Sequence, residues 1–371
     1  MIAPGVLLSD EQRRDWLRLS RSQNVGARLF FQLINRYGGA AEALAALPRL
    51  AARGGRKRIR IYPEQRAEAD LEAAAAAGAR FVARGEAGYP PLLRHTDDPP
   101  PLICIKGRAE LAEMPLLAIV GARNASLAGL NMARRLAAEI GAEGYGIVSG
   151  LARGIDTAAH EAALDTGTIA VLAGGIDHVY PRENARLMQA IGERGLLITE
   201  MTPGTTPQAK HFPRRNRLVA GMSLGTLVVE AAVRSGSLIT ARLAGEFGRE
   251  VFAVPGHPSD PRSGGVNRLI RHGACLVRHA EDVLRELPAL AARTPPEARL
   301  FDETEPPPAD VEPPADLHGR LLSLIGAQEA DLDILIREVD TPAAVVVAAL
   351  MELELAGQVA RTANGGFARA G

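Results

Sequence analysis

The chain holds 371 residues, 47% of them hydrophobic and 23% charged, with a formal net charge of zero. That length suits two or three domains, and the neutral balance excludes attraction of a polyanion through global charge, leaving only local basic patches. Two distant cysteines, Cys104 and Cys275, fit no metal spacing; without a signal peptide or a long apolar run, a cytoplasmic location away from membranes is expected.

Four regions follow in chain order. Residues 1–80 read as short helices, DEQRRDWLRL, ARLFFQLINRY, AEALAAL and EQRAEADLEAAAAAG, with apolar residues at three and four spacings. The turns in NVGARLF and RYGGAAEAL resemble those of helix-hairpin-helix or SAM-like modules, and ARGGRKRIR forms a basic run. Across 81–287 the texture changes to short apolar runs alternating with helical segments. LLAIV, YGIVS, TIAVLAG, LLITE, GTLVVEA and EVFAVPG read as strands buried on both faces, so the fold expected is an α/β, Rossmann-like, doubly wound and mostly parallel sheet. Residues 288–316, rich in proline and acid, read as an extended linker. Residues 317–371 give three helices and a two-stranded wing around a glycine turn, the order of a winged helix.

In a doubly wound sheet ligands sit at the carboxyl ends of the strands, so the segments following each strand carry the function. After LLAIV stands GARNAS, with Gly121, Arg123, Asn124 and Ser126; after YGIVS stands GLARGID, with Gly150 and Gly154. TIAVLAG leads to Arg182 and Asn184, and LLITE leads to Lys210 and the cluster Arg214, Arg215, Arg217. GTLVVEA leads to Arg234, Ser235, Gly236, Ser237 and Thr240. Glycine amides, hydroxyls and guanidinium forks on one edge suit a phosphate-rich ligand. GARNAS is not GxGxxG, and there is no GxxxxGK[ST] loop, so neither a dinucleotide cofactor nor a phosphate-cleaving loop is expected. Asp156 and His160 share one helix face but find no further metal ligand at informative spacing, and packed, hydrogen-bonded roles are expected for both. Glu200 and Glu230 end strands, where they either act in catalysis or fix arginines such as Arg215 and Arg217; Arg214 and Arg215 are the preferred phosphate ligands of the cluster. Aromatic residues are only 4% of the chain, which argues against an extensive stacking platform, and core packing is expected for Tyr180 and Phe212.

Seven stretches taken together resemble the DprA/Smf family of DNA-processing proteins: YPPLLRHTDDPPPLICIKG, IVGARNAS, IVSGLARGIDTAAHEAAL, VLAGGIDHVYPRENARL, HFPRRNRLVAG, VVEAAVRSGSLITARLA and VFAVPGHPSDPRSGGVNRLIRHGA. The resemblance implies a non-enzymatic homodimer that binds single-stranded DNA through a basic pocket, protects incoming strands and loads RecA during transformation. It implies that Arg123 and Arg182 contact DNA and that the FPRRNR arginines and SGS hydroxyls line or support the same pocket. Ala122 departs from the serine more frequent in the family, which removes one hydroxyl. The alternative reading is a nucleotide hydrolase of the lysine-decarboxylase-like group, although AGMSLGTLVVE lacks that group's glycine pair. The third helix of the winged module, TPAAVVVAALMELELAG, has no lysine or arginine, so protein contact or self-association is expected of it, with Arg337 and Arg361 the nearby basic positions.

Overall fold

A computed structural model describes residues 7–292, 313–314, 316–326, 328–362 and 365–370. They fall into two compact units, one built on Asp70–Leu300 and the other joining Leu8–Ala69 to Phe301–Gly371.

The chain opens with α1 (Asp10–Arg21), α2 (Ala27–Tyr37), α3 (Ala40–Arg53) and α4 (Glu64–Ala76). The start of α1 is fixed by a capping box, in which the Ser9 hydroxyl accepts from the Gln12 amide and the Gln12 side chain accepts from the Ser9 amide. Helix α2 stops at Gly38, whose φ of 80° is the left-handed conformation that glycine adopts without strain. Trp16 of α1 meets Phe30 of α2 edge to face, with ring centroids 4.9 Å apart.

The sheet unit comprises β1 (Arg80–Ala83), β2 (Leu102–Gly107), β3 (Leu116–Gly121), α5 (Leu127–Ala142), β4 (Gly146–Ser149), α6 (Ile155–Ala162) and β5 (Thr168–Val171). It continues through α7 (Ala185–Arg194), β6 (Leu196–Thr199), α8 (His211–Gly221), β7 (Gly225–Val229), α9 (Ser237–Glu246) and β8 (Glu250–Ala253). It closes with α10 (Gly264–Arg271), β9 (Cys275–Leu276), α11 (Ala280–Leu284) and α12 (Leu287–Ala292). The nine strands lie in the order β1-β2-β6-β5-β4-β3-β7-β8-β9. Every pairing from β6 to β9 is parallel, while β2 runs antiparallel to both β1 and β6. Strand β3 shows why the apolar runs carry no alternation: Leu116, Ala118 and Val120 enter the core on one face, Leu117 and Ile119 the core on the other. Chain order reverses between β3 and β7, whose register pairs Gly121 with Val229, and this switch point is where such sheets open a crevice.

The linker expected over 288–316 begins differently: its first residues complete α12, because Leu287 is buried and the LPALAA run favours a helix. The rest of that expectation, residues 293–312, lies outside the described residues. Helices α13 (Leu317–Leu324), α14 (Leu332–Val339) and α15 (Ala343–Ala356), with the hairpin of β10 (Val359–Arg361) and β11 (Phe367–Arg369), form the winged helix. From sequence the two ends of the chain read as separate domains; in the structure they close on each other as one unit, with α3 against α15.

Candidate functional site

Two adjoining cavities of about 490 and 560 Å³ open over the carboxyl ends of the parallel strands. Arg123, Ala152, Phe212 and Arg215 line both and so form the partition between them. The smaller cavity is walled by Leu151, Leu172, Val179, Tyr180 and Pro207, with Arg153, His178 and Arg182 at its polar side. The larger occupies the switch point, where Gly121, Asn124, Arg234, Ser235, Ser237 and Arg262 surround it.

The arginine cluster that follows β6 sits in the first turns of α8, with Pro213 where a missing amide is tolerated. Its three arginines have different fates. Arg214 Nη2 donates to Glu200 Oε1 at 2.9 Å, and Arg217 Nη2 reaches both oxygens of Glu200 at 2.8 Å while its Nη1 donates to the Asp98 carbonyl. Glu200 is therefore a clamp for two arginines. Arg215 is only 6% exposed and packs flat against Gly150; a Cβ at that glycine would fall 1.0 Å from Arg215 Nη1. Burial pulls the Arg215 guanidinium down from its usual range, which nearby Asp156 opposes, and its Nε has no hydrogen-bond partner among the described residues. A buried cation at the floor of two cavities favours an anionic ligand through its charge.

The backbone amides behave otherwise than a phosphate loop would require. Asp156 accepts from the amides of Gly150 at 3.1 Å and Ala152 at 3.2 Å; burial pushes its carboxyl up, against the pull of Arg215 and those two bonds. At the N-terminus of α5, Glu230 accepts from the Ser126 amide at 2.9 Å and from the Ser126 hydroxyl, which itself caps the Gly129 amide at 2.9 Å. The helix end that holds a pyrophosphate in dinucleotide-binding sheets is thus filled by the protein's own carboxylate. Glu230, just after β7, takes a positive φ of 52°, and Leu151, just after β4, one of 55°, so the backbone is strained beyond both strand ends. Gly154 combines a φ of 80° with so close an approach that a Cβ would lie 2.3 Å from the Ala122 carbonyl; it lets the start of α6 seat against the GARNAS turn. Gly121 likewise faces the Val229 carbonyl, where a Cβ would intrude to 1.9 Å.

Asn184 is buried and donates to the Leu151 carbonyl at 3.0 Å and to Thr157 Oγ1 at 2.9 Å, so it ties the Arg182 segment to the Gly150 turn. Ser235 and Ser237 hydroxyls bond each other at 2.7 Å ahead of α9, and exposed Gly236 accepts from Asn216 at 3.4 Å. Lys210 is exposed at the start of α8 but lines neither cavity. Arg123, Arg182 and Arg234 are exposed and have no ion-pair partner among the described residues; Arg123 lies over the Phe212 ring, 5.4 Å from its centroid. The sequence suggests core roles for Tyr180 and Phe212, yet Tyr180 is 45% exposed and its ring centroid stands 5.5 Å from that of Phe212, in the cavity wall. Val179 beside it is exposed as well, so this segment lies at the surface. Arg262 escapes the sequence reading; it follows β8 in DPRSGG, which reading past that strand end would have reached. His160 is fully buried, its Nδ1 2.7 Å from Thr168 Oγ1, and burial aided by the Arg215 charge lowers its pKa to about 3. No group of three or more metal-ligating side chains occurs among the described residues, and no helix there is long and apolar enough to cross a membrane.

The sequence signature described as DNA recombination-mediator protein A matches residues 80–288. The chain belongs to the DprA family. A DprA-like N-terminal HHH domain matches residues 10–73 and a DprA winged helix domain residues 305–365. Protein Smf of Escherichia coli is 41% identical over 284 residues, covering 76% of this chain and 75% of its own length. DNA processing protein DprA of Streptococcus pneumoniae is 46% identical over 200 residues, covering 53% and 71%. The X-ray structure of S. pneumoniae DprA matches with a TM-score of 0.63 at 36% identity, over 76% of this chain and 99% of that one. The Helicobacter pylori DNA processing protein A, a structure described for its unique single-stranded DNA binding mode, matches with a TM-score of 0.53 at 29% identity, over 57% and 96%.

Proposed function

We propose that this DprA-family chain is a non-catalytic mediator that holds single-stranded DNA across the two cavities and passes the strand to RecA as a homodimer during transformation. The observation that carries the reading is the division of labour among arginines: buried Arg215 floors both cavities with its charge, while Arg123, Arg182 and Arg234 face outward without acidic partners among the described residues. Guanidinium groups so placed meet phosphate, hold any sequence and weaken their grip with salt. Tyr180 and Phe212 add a small aromatic wall on which one base can rest. The single-strand mode described for the H. pylori relative supports the same ligand class. Nucleotide hydrolysis draws no support from the two glutamates, since Glu230 is committed to Ser126 and Glu200 to Arg214 and Arg217.

The test is a gel-shift salt series with oligothymidine and with duplex. Removing one arginine that pairs with a phosphate should lower the salt slope by about 0.7, so Arg123→Ala, Arg182→Ala and Arg234→Ala should each flatten it and the triple variant should bind weakly. Unchanged single-strand affinity in the triple variant would overturn the site. RecA transfer is tested with that same variant: capture of RecA without DNA would assign recombinase contact to another surface.

A further inference from the structure

A winged fold covers one face of its third helix and leaves the other outward, where duplex readers place basic and amide side chains. In α15 no residue from Ala344 to Ala356 is exposed. Val345, Val346, Ala349, Leu350 and Leu353 pack in the module's own core beside Leu317, Leu335 and Phe367. Ala348, Met351, Glu352, Leu355 and Ala356 are buried too, on the other stripe of the same helix, and α15 lies along α3. A helix apolar around its whole circumference requires cover on both sides.

The polar contacts between the two modules are specific. The carbonyls at the end of α15 lack partners within the helix, and the N-terminal module supplies them: Asn24 Nδ2 donates to the Leu355 carbonyl at 2.9 Å and Arg56 Nη1 to the Ala356 carbonyl at 3.1 Å. In return Gln358 Nε2 donates to the Gly54 carbonyl at 2.7 Å. Glu352, fully buried, has His318 Nε2 at 2.8 Å from its own module and Arg53 Nη1 at 3.6 Å from α3. Arg53 stands beside that carboxylate only when the modules are together. Gly54 approaches so closely that a Cβ would stand 2.1 Å from the Glu352 carbonyl oxygen and 2.9 Å from Ala356 Cβ. Its φ of −71° is open to any residue, so the neighbour and not the local backbone demands glycine there. Part of the basic run ARGGRKRIR is thereby explained: Arg53 and Arg56 face a protein, not a nucleic acid.

We propose that the winged-helix module is a docking element for the N-terminal helical module of its own chain, and that its third helix is thereby withdrawn from duplex reading. Helix α15 carries two glutamates and no basic residue, which fits a helix facing Arg53 and Arg56 and opposes one facing phosphates.

The experiment uses the full chain with a protease site inserted after Leu300. After cleavage, the C-terminal fragment should stay with the remainder in gel filtration, and α15 amides should stay protected from hydrogen exchange. Gly54→Leu should weaken retention at least about tenfold and speed α15 exchange; Arg56→Ala should do so more mildly. Trp16 fluorescence reports whether the N-terminal helices remain folded, and oligothymidine binding should be unaltered. Separation of the wild-type fragment, or equal retention in both variants, overturns the docking. A duplex affinity of the wild type that falls when Gly54→Leu opens the pair overturns the withdrawal from duplex.

Discussion

His160 offers a quantitative test of how the core beneath the site is wired. Thr168 Oγ1 donates to the Ile147 carbonyl at 2.9 Å, so in the 2.7 Å contact with His160 it accepts, and Nδ1 carries the proton. Nε2 is then a bare, buried acceptor without a partner among the described residues. Protonating it places a second cation in the core beside Arg215, which is why burial and that charge hold the pKa at about 3. An unfolded histidine titrates at about 6.5, so between those values the unfolded chain binds the extra proton and stability falls as pH falls. From pH 7 to pH 4 the loss amounts to about 3 kcal/mol. Urea unfolding at several pH values, followed by circular dichroism, measures it, with Trp16 fluorescence separating the transition of the other unit. His160→Phe should carry a pH-independent packing cost and lose that share of the acid sensitivity. A variant that weakens between pH 7 and pH 4 as much as the wild type would refute the assignment.

Gly150→Ala should push the Arg215 guanidinium from its seat, costing about 1–3 kcal/mol and most of the single-strand affinity, while Gly236→Ala, with nothing within 4 Å, should change neither; thermal melts and gel shifts read both. Glu200→Gln removes a negative charge beside the cavities, so affinity for oligothymidine at low salt should rise on the order of threefold, and an unchanged salt slope would show that Arg214 and Arg217 never meet the strand. Ser126→Ala should cost about 1 kcal/mol of stability through the missing cap and leave DNA affinity intact; a tenfold loss of affinity would instead put the hydroxyl on a phosphate.

The six long apolar runs announced their strands because a strand buried on both faces needs no alternation, as β3 and β7 show. Strands β1, β2 and β9 fall outside those six runs: β1 and β2 stand before the strand–helix alternation begins, and β9 has only two residues. The loops that surround the cavities were legible from strand ends alone. Which arginine faces outward was not, because it depends on acids brought near by folding: Glu200 stands 14 and 17 residues before Arg214 and Arg217, and Asp156 lies on another helix from Arg215. Arg214 shares the clamp expected for Arg217, and Arg215 is a floor more than an arm. The cover over α15 is hidden for the same reason, since the composition of one helix says that it wants a partner and not which one.

The carboxylates of Glu230 and Asp156 have a consequence for motion along a polymer. By holding the amides of Ser126, Gly150 and Ala152, they remove the rigid donors that would seat one phosphate in one place. The donors left facing outward sit at the tips of long, rotatable arms. A rigid cradle selects a single register; arms of this kind follow a phosphate as it shifts by a nucleotide. A polymer held by such arms would be gripped and yet free to slide onward.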